Sequence, residues 1–298
     1  MLFRSLATAA ALLVASTPVA AQDLDLRARV AAFVQPSNEA RTAVVVAQLH
    51  AAGFEPVIET FVGGNPRTGE MEGRNVVVTL GVGPREILLT AHYDAVKLRD
   101  GTMSHGVVDN AASVVGVIEA AKILRGKALN HRIRIILFDQ EELGLIGARK
   151  WIEAHGLTNV AAVVNSDVAG YGDTMMYGQN NGPQSALVTR AVQELCAERA
   201  LQCVGYPVYP PSDDRAFSAA GAPVVSLGFQ DQIGAHQMWL AFNGGQTNGL
   251  AEGFVPKVFQ LIHSAEDTME QVDPATVALA GATYAALVER LDVALTFY

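Results

Sequence analysis

From residue 86 onward, short apolar runs alternate with helical segments, and this alternation constrains the fold more than any other feature. "EILLTAHY" (86–93) precedes a helix expected over 110–125, and "HRIRIILFD" (131–139) precedes one over 143–155. "NVAAVVNSD" (159–167) precedes a helix over 183–200, and "APVVSLGF" (222–229) comes before a C-terminal helix that starts at Asp273-Pro274. An acid at the cap followed by proline in the first turn is a helix start, because the carboxylate accepts from free amides and proline has none to offer. Strands alternating with helices predict an α/β chain with a largely parallel sheet between two helical layers, an α/β/α sandwich. Before residue 86, Gln22 to Leu49 reads as helical and closes on Gly53. "EPVIETFV" and "RNVVVTLGV" then add strands that make the sheet mixed.

The first residues, "MLFRSLATAAALLVASTPVAAQ", carry Arg4, a short apolar stretch and small residues before Gln22. That pattern is a secretory leader over 1–21, with cleavage expected after Ala21 and export to the periplasm or the medium. The stretch is too short to span a bilayer comfortably. One catalytic domain is expected over 22–298, since no repeat or low-complexity linker interrupts it, and a chain half hydrophobic can bury a large core. The net charge of -9 argues against nucleic acid and anionic membranes as partners. Cys196 and Cys203, close together in an exported chain, read as a disulfide or as two buried thiols.

In sheets of this kind, chemistry gathers where parallel strands end. His92 and Asp94 end the first run, and Asp109 sits in the loop after it. Asp139, Glu141 and Glu142 end the second, and Asp167 ends the third. His263 and Asp267 follow a later apolar run. Imidazole and carboxylate converging on one edge suit a borderline cation such as zinc, and a cation lowers the cost of clustering carboxylates. Two His and three carboxylates suffice for two ions, which leaves one carboxylate as a general base. His92 and Asp94 stand two apart on an extended chain and so face one side, where Asp94 can orient the imidazole. Asp267 is near enough to His263 to support its loop. None of these pieces is specific alone; the ordered set is.

The chain resembles the co-catalytic dizinc exopeptidases typified by secreted bacterial leucyl aminopeptidases, which have glutamate carboxypeptidase and glutaminyl cyclase as relatives. The matching text is "GRNVVVTL", "ILLTAHYDAV", "GVVDNAAS", "FDQEELGLIGARKW", "NSDVAG", "SDDRAFSAAGAPVVSL" and "IHSAEDT", within about 72–290. The resemblance implies two zinc ions in an eight-stranded mixed sheet sandwich. His92 and Asp167 would hold one ion, Glu142 and His263 the other, and Asp109 would bridge them. Glu141 would be the general base and Asp94 a support behind the ligands. Tyr209 matches a tyrosine that steadies the tetrahedral intermediate, though an ordinary loop tyrosine fits as well. Ser212-Asp213-Asp214 departs from the family's Ser-Asp-His and leaves that loop's contacts open.

The activity implied is removal of N-terminal residues from peptides by metal-activated water. Alternatives on the same scaffold are glutaminyl cyclisation and a carboxypeptidase using Arg215 for the terminal carboxylate. A catalytically dead binding module would lack ligands or base, and none is missing. His105 and His236 read as non-ligands, Asp139 as a strand-end support and Trp151 as core. The Gly228–Phe254 segment, rich in Gly and Asn, reads either as a specificity loop lining an apolar pocket or as surface packing.

Overall fold

The computed structural model describes residues 19–296. The leader over 1–21 lies outside that range except for its last three residues, which open the first helix. In chain order the elements are α1 (Val19–Ala31), α2 (Asn38–Ala51), β1 (Val57–Asn65), β2 (Gly69–Leu80), β3 (Glu86–His92) and α3 (Ala112–Leu124). They continue as β4 (Arg132–Phe138), α4 (Ile146–His155), β5 (Val160–Ser166), β6 (Thr174–Gly178), α5 (Ala186–Glu198) and β7 (Cys203–Tyr206). The last are α6 (Asp214–Ala219), β8 (Val224–Gln230), α7 (Gln232–Asn243), α8 (Lys257–Leu261) and α9 (Pro274–Leu295).

The eight strands form one sheet in the order β1-β2-β4-β3-β5-β8-β6-β7. The inner four, β4-β3-β5-β8, are parallel. β2 and β6 run antiparallel to their inner neighbours, so the sheet is mixed. Alternation along each strand divides the core. Ile87, Leu89, Ile135 and Val164 face a layer built from α1, α2, α3, α5 and α9. Leu88, Ile136, Phe138 and Val163 face Trp151 of α4 and Phe217 of α6. The chain is a three-layer α/β/α sandwich.

Several boundaries differ from the sequence reading for local reasons. The helix expected over 22–49 is two helices, broken before Pro36, and Ser37 accepts from the amide of Ala40 to start α2. The helix expected from Leu143 starts at Ile146, because Gln140 and Leu145 take left-handed backbone angles (φ 61° and 60°) and spend residues 139–145 on a loop. The helix expected at 110 is a wide turn over Val107–Ala111, and α3 proper starts at Ala112. Strands β6 and β7 were not expected; at five and four residues they are too short to stand out by pattern. Cys196 and Cys203 are joined, tying the last turn of α5 to the start of β7.

Candidate active site

The carboxyl ends of β3, β4 and β5 lie side by side, because these strands are parallel neighbours. Their register is pinned by a buried polar chain. Thr90 Oγ1 donates to Asn165 Oδ1 (2.8 Å), and Asn165 Nδ2 donates to Ser226 and Ser212 (3.1 Å each). Buried amides and hydroxyls are costly unless paired, so this chain favours one register over slipped ones. Above it, β3 ends in His92, β4 runs into Asp139–Glu142, and β5 runs into Asp167.

Two ligand groups form there. His92, Asp109 and Asp167 each offer an atom within 4.8 Å of the others, and so do Asp109, Glu142 and His263. Asp109 belongs to both. Its Oδ1 lies 3.1 Å from His92 Nε2 and its Oδ2 lies 3.2 Å from His263 Nε2. Asp167 Oδ1 is 3.6 Å from His92 Nε2, and Glu142 Oε2 is 2.9 Å from His263 Nε2. Asp109 Oδ1, Asp167 Oδ1 and Glu142 Oε1 are buried with no hydrogen-bond donor. Carboxylate oxygens left bare in an interior call for a positive charge, and two imidazole nitrogens share the space. This donor set fits zinc.

The supports behind these residues are hydrogen-bonded. Asp94 accepts from the amides of Glu141 and Glu142 (3.1 Å each), and its Oδ1 lies 3.4 Å from His92 Nδ1. It therefore fixes both glutamates as well as facing the imidazole. Asp267 does not act as expected. Its carboxylate accepts from the amides of Val107 (3.2 Å), Val108 (2.8 Å) and Asp109 (3.2 Å), so it holds the shared carboxylate's turn rather than the loop of His263. Asn110 bridges that turn to β5, donating to Ser166 O (3.0 Å) and accepting from Val168 N (3.1 Å). Arg41, wholly buried, donates to the carbonyls of Tyr93, Phe33, His105 and Gly106, and so clamps the chain on both sides of the site. Sequence reasoning missed Arg41 and Asn110. Asn110, next to Asp109, was findable by position; Arg41 looks like one more polar residue on a helix.

Burial and neighbouring charges shift the titration of His92, Asp109, Glu141, Glu142 and His263. Burial would lower the pKa of His92, but Glu141 and the carboxylates of Asp109, Asp167 and Asp94 hold it well above the usual value. His263 is raised to about 11 by Asp109 and Glu142. Burial opposes ionisation of Asp109, yet the two imidazoles hold it below the usual range. Burial, then the charge of Asp109, push Glu142 up to about 7. Burial raises Glu141 well above the usual carboxylate value; Asp213, Asp167 and Glu142 add to the rise while His92 opposes it.

A cavity of about 300 Å³ opens beside the ligands, and His92, Asp109, Glu141, Asp167, His263 and Tyr209 reach it. Glu141 faces it without entering either ligand group. Tyr209 is buried against Tyr206 in an edge-on contact (5.5 Å). Its hydroxyl approaches the backbone at Gly228: a Cβ there would lie 2.8 Å from it and 2.6 Å from Asp167 O, so only glycine fits.

Residues 75–288 match the description peptidase family M28. The chain belongs to that family. Among M28 relatives and their structural kin, aminopeptidase YwaD of Bacillus subtilis is 34% identical over 70 residues, which are 24% of this chain and 14% of that protein. A zinc aminopeptidase structure from Bacillus subtilis superposes with a TM-score of 0.59 at 21% identity, over 74% of this chain and half of that one. This M28 chain thus spans well under two thirds of both Bacillus proteins. The glutaminyl cyclase of Tannerella forsythia superposes with a TM-score of 0.69 at 19% identity, over 91% of this chain and 98% of that one. At these identities the two superpositions speak for the fold.

The remaining sequence candidates lie elsewhere in role. Asp139 accepts from the amides of Arg74 and Gln140 at the strand end. His236 contacts Gln232 O of its own helix, and Trp151 is core. His105 joins neither ligand group. Arg215 does not line the cavity; it donates to Tyr209 O (2.8 Å), which removes the basis for a carboxylate-binding role. The Gly228–Phe254 segment is not a loop throughout. Its first half forms α7, and Met238 on that helix lines the cavity.

Proposed function

We propose that this chain is an exported zinc aminopeptidase that removes N-terminal residues from peptides. The observation that carries this reading is Asp109, whose two oxygens face two different imidazoles while bare, buried carboxylate oxygens surround them. His92 and Asp167 would hold one ion and Glu142 and His263 a second, with Asp109 offering an oxygen to each. Bound zinc supplies Lewis acidity, acidifying water toward a pKa of about 7 and polarising the scissile carbonyl.

The protein's residues do the rest. Glu141 stands at the cavity free of either ligand group, and burial raises its pKa above the usual carboxylate value, the direction that favours proton uptake by a general base. It accepts the proton of the attacking water and later delivers one to the leaving amine. Asp94 keeps Glu141 and Glu142 apart in role by fixing both amides. In this reading the Tyr209 hydroxyl, at the cavity, would donate to the developing oxyanion.

The rival on the same scaffold is cyclisation of N-terminal glutamine. Among the described residues the cavity wall beyond the ligand groups, Glu141 and Tyr209 is apolar, which suits an apolar side chain better than a glutamine amide. The deciding assay loads the chain with zinc and measures amino acid release from aminoacyl peptides beside ammonia release from N-terminal glutamine, each with and without chelator. Chelator-sensitive amino acid release is expected. Ammonia release alone would replace this reading with the cyclase.

A further inference from the structure

The far wall of the cavity includes Met176 of β6 and Met238 of α7, together with Val168, Val258, Phe259 and Ile262. Methionine has three rotatable bonds and an unbranched chain, so two facing one cavity would leave its depth loosely defined. A third residue removes that freedom. Gln230, the last residue of β8, is fully buried, and its Nε2 lies 2.8 Å from Met176 Sδ and 3.8 Å from Met238 Sδ. Both contacts are within reach for sulfur acceptors, which are weak but are the acceptors this buried amide has.

Gln230 Oε1 points to the first turn of α7 and has no hydrogen-bond donor there; it and the Asp231 carboxylate fill the space beside Gly234. Among the described residues no lysine or arginine lines the cavity. The wall therefore offers nothing to an acidic side chain, and its depth is set by two thioethers held by one amide.

We propose that Gln230 is a positioning residue for substrate specificity: it clamps Met176 and Met238 as the floor of the cavity and so limits which apolar N-terminal side chains enter. The substrate class follows from the aminopeptidase reading above and rests on it. The clamp itself is a property of the folded chain without metal. Removing the donor frees both sulfurs, and the floor recedes on demand; truncating Met238 removes part of the floor outright.

The test uses the full chain with Gln230→Leu and Met238→Ala. On the zinc-loaded enzyme, kcat/KM is measured for leucine and phenylalanine anilides. Met238→Ala is expected to raise the phenylalanine-to-leucine ratio about tenfold, the scale of a few methylenes' worth of pocket discrimination. Gln230→Leu is expected to move it the same way by several-fold, mostly through KM. In parallel, the metal-free chain carrying ¹³C-methyl methionine is examined by NMR, with Met176 and Met238 assigned by substitution with leucine. In Gln230→Leu their two methyl resonances should narrow and move while those of Met71 and Met103 stay. Unchanged ratios in both variants, or unmoved Met176 and Met238 methyls in Gln230→Leu, would overturn the proposal. A wild-type chain that binds zinc but releases no amino acid would defeat the aminopeptidase reading, and the methyl resonances would then decide the role of Gln230 alone.

Discussion

The ligand cradle and the far wall of the cavity are built by different means. In the cradle the segments that carry the carboxylates have polar supports from other parts of the chain: Asp267 under Asp109, Asp94 under Glu141 and Glu142, Asn110 between Asp109 and Asp167. The wall is a separate small cluster of Met176, Tyr206, Tyr209, Ala235, Met238 and Val258, packed by rings and thioethers. Its polar ties are few, among them Trp239 Nε1 to Gly205 O (3.0 Å) and the Gln230 amide. Holding reacting groups demands fixed geometry, which directional hydrogen bonds supply. Accepting a side chain demands shape, which apolar packing supplies and can alter without unfolding.

This contrast can be broken at several points. The largest effect is expected from Asp109→Ala, which strips an atom from both ligand groups. Metal per chain, counted by atomic emission, should fall and chelator-sensitive activity should vanish; full metal content would mean that the two groups do not share it. Next is Asp267→Ala, which touches no ligand atom but leaves three amides of the Asp109 turn without their acceptor. Supports of this kind are worth about 10–100-fold in metal affinity or activity. Competition with a chromophoric chelator measures the loss, and wild-type affinity would show that the turn holds itself.

A third test concerns protons. Without a cation His263, raised to about 11, stays protonated at neutral pH, so zinc must displace a proton and binds more tightly as pH rises. Calorimetry at pH 7 in buffers of differing ionisation heat should show proton release; equal heats would contradict it. The smallest effect lies on Asp214, in the segment after Tyr209. Burial raises it from 3.8 to about 7, so the native chain holds a proton there that the unfolded chain gives up. Stability of the metal-free chain should fall from this group as pH climbs from about 4 to 7, and Asp214→Asn should remove that part of the slope. Parallel melting profiles for parent and variant across this window would refute the assignment.

The same contrast explains what could be read from sequence. His92, Glu141, Glu142 and Asp167 sit at or just beyond strand ends, where an apolar run stopping on a polar residue is visible locally, and Asp109 lies in the turn that leads into α3. The sandwich was legible for the same reason, because β3, β5 and β8 are wholly buried and β4 is buried at all but Arg132 and Arg134. The wall was not. Met176 lies on a five-residue strand, and Met238 on a helix inside a segment whose glycines and asparagines suggested a loop. Gln230 acquires its role only from a diagonal neighbour on β6 and a helix eight residues on, which no local pattern encodes. Asp267 was singled out but given the wrong load, since its amide partners are about 160 positions away in the chain.

The most direct measurement is on Glu141. Glu141→Gln keeps the shape and the backbone amide that Asp94 holds, and removes only the group that can carry a proton. Turnover of an aminoacyl anilide should fall by about 10²–10⁴-fold, the range for a lost general base, with zinc content unchanged. Near-normal turnover with zinc retained would contradict the assignment of Glu141 as the base.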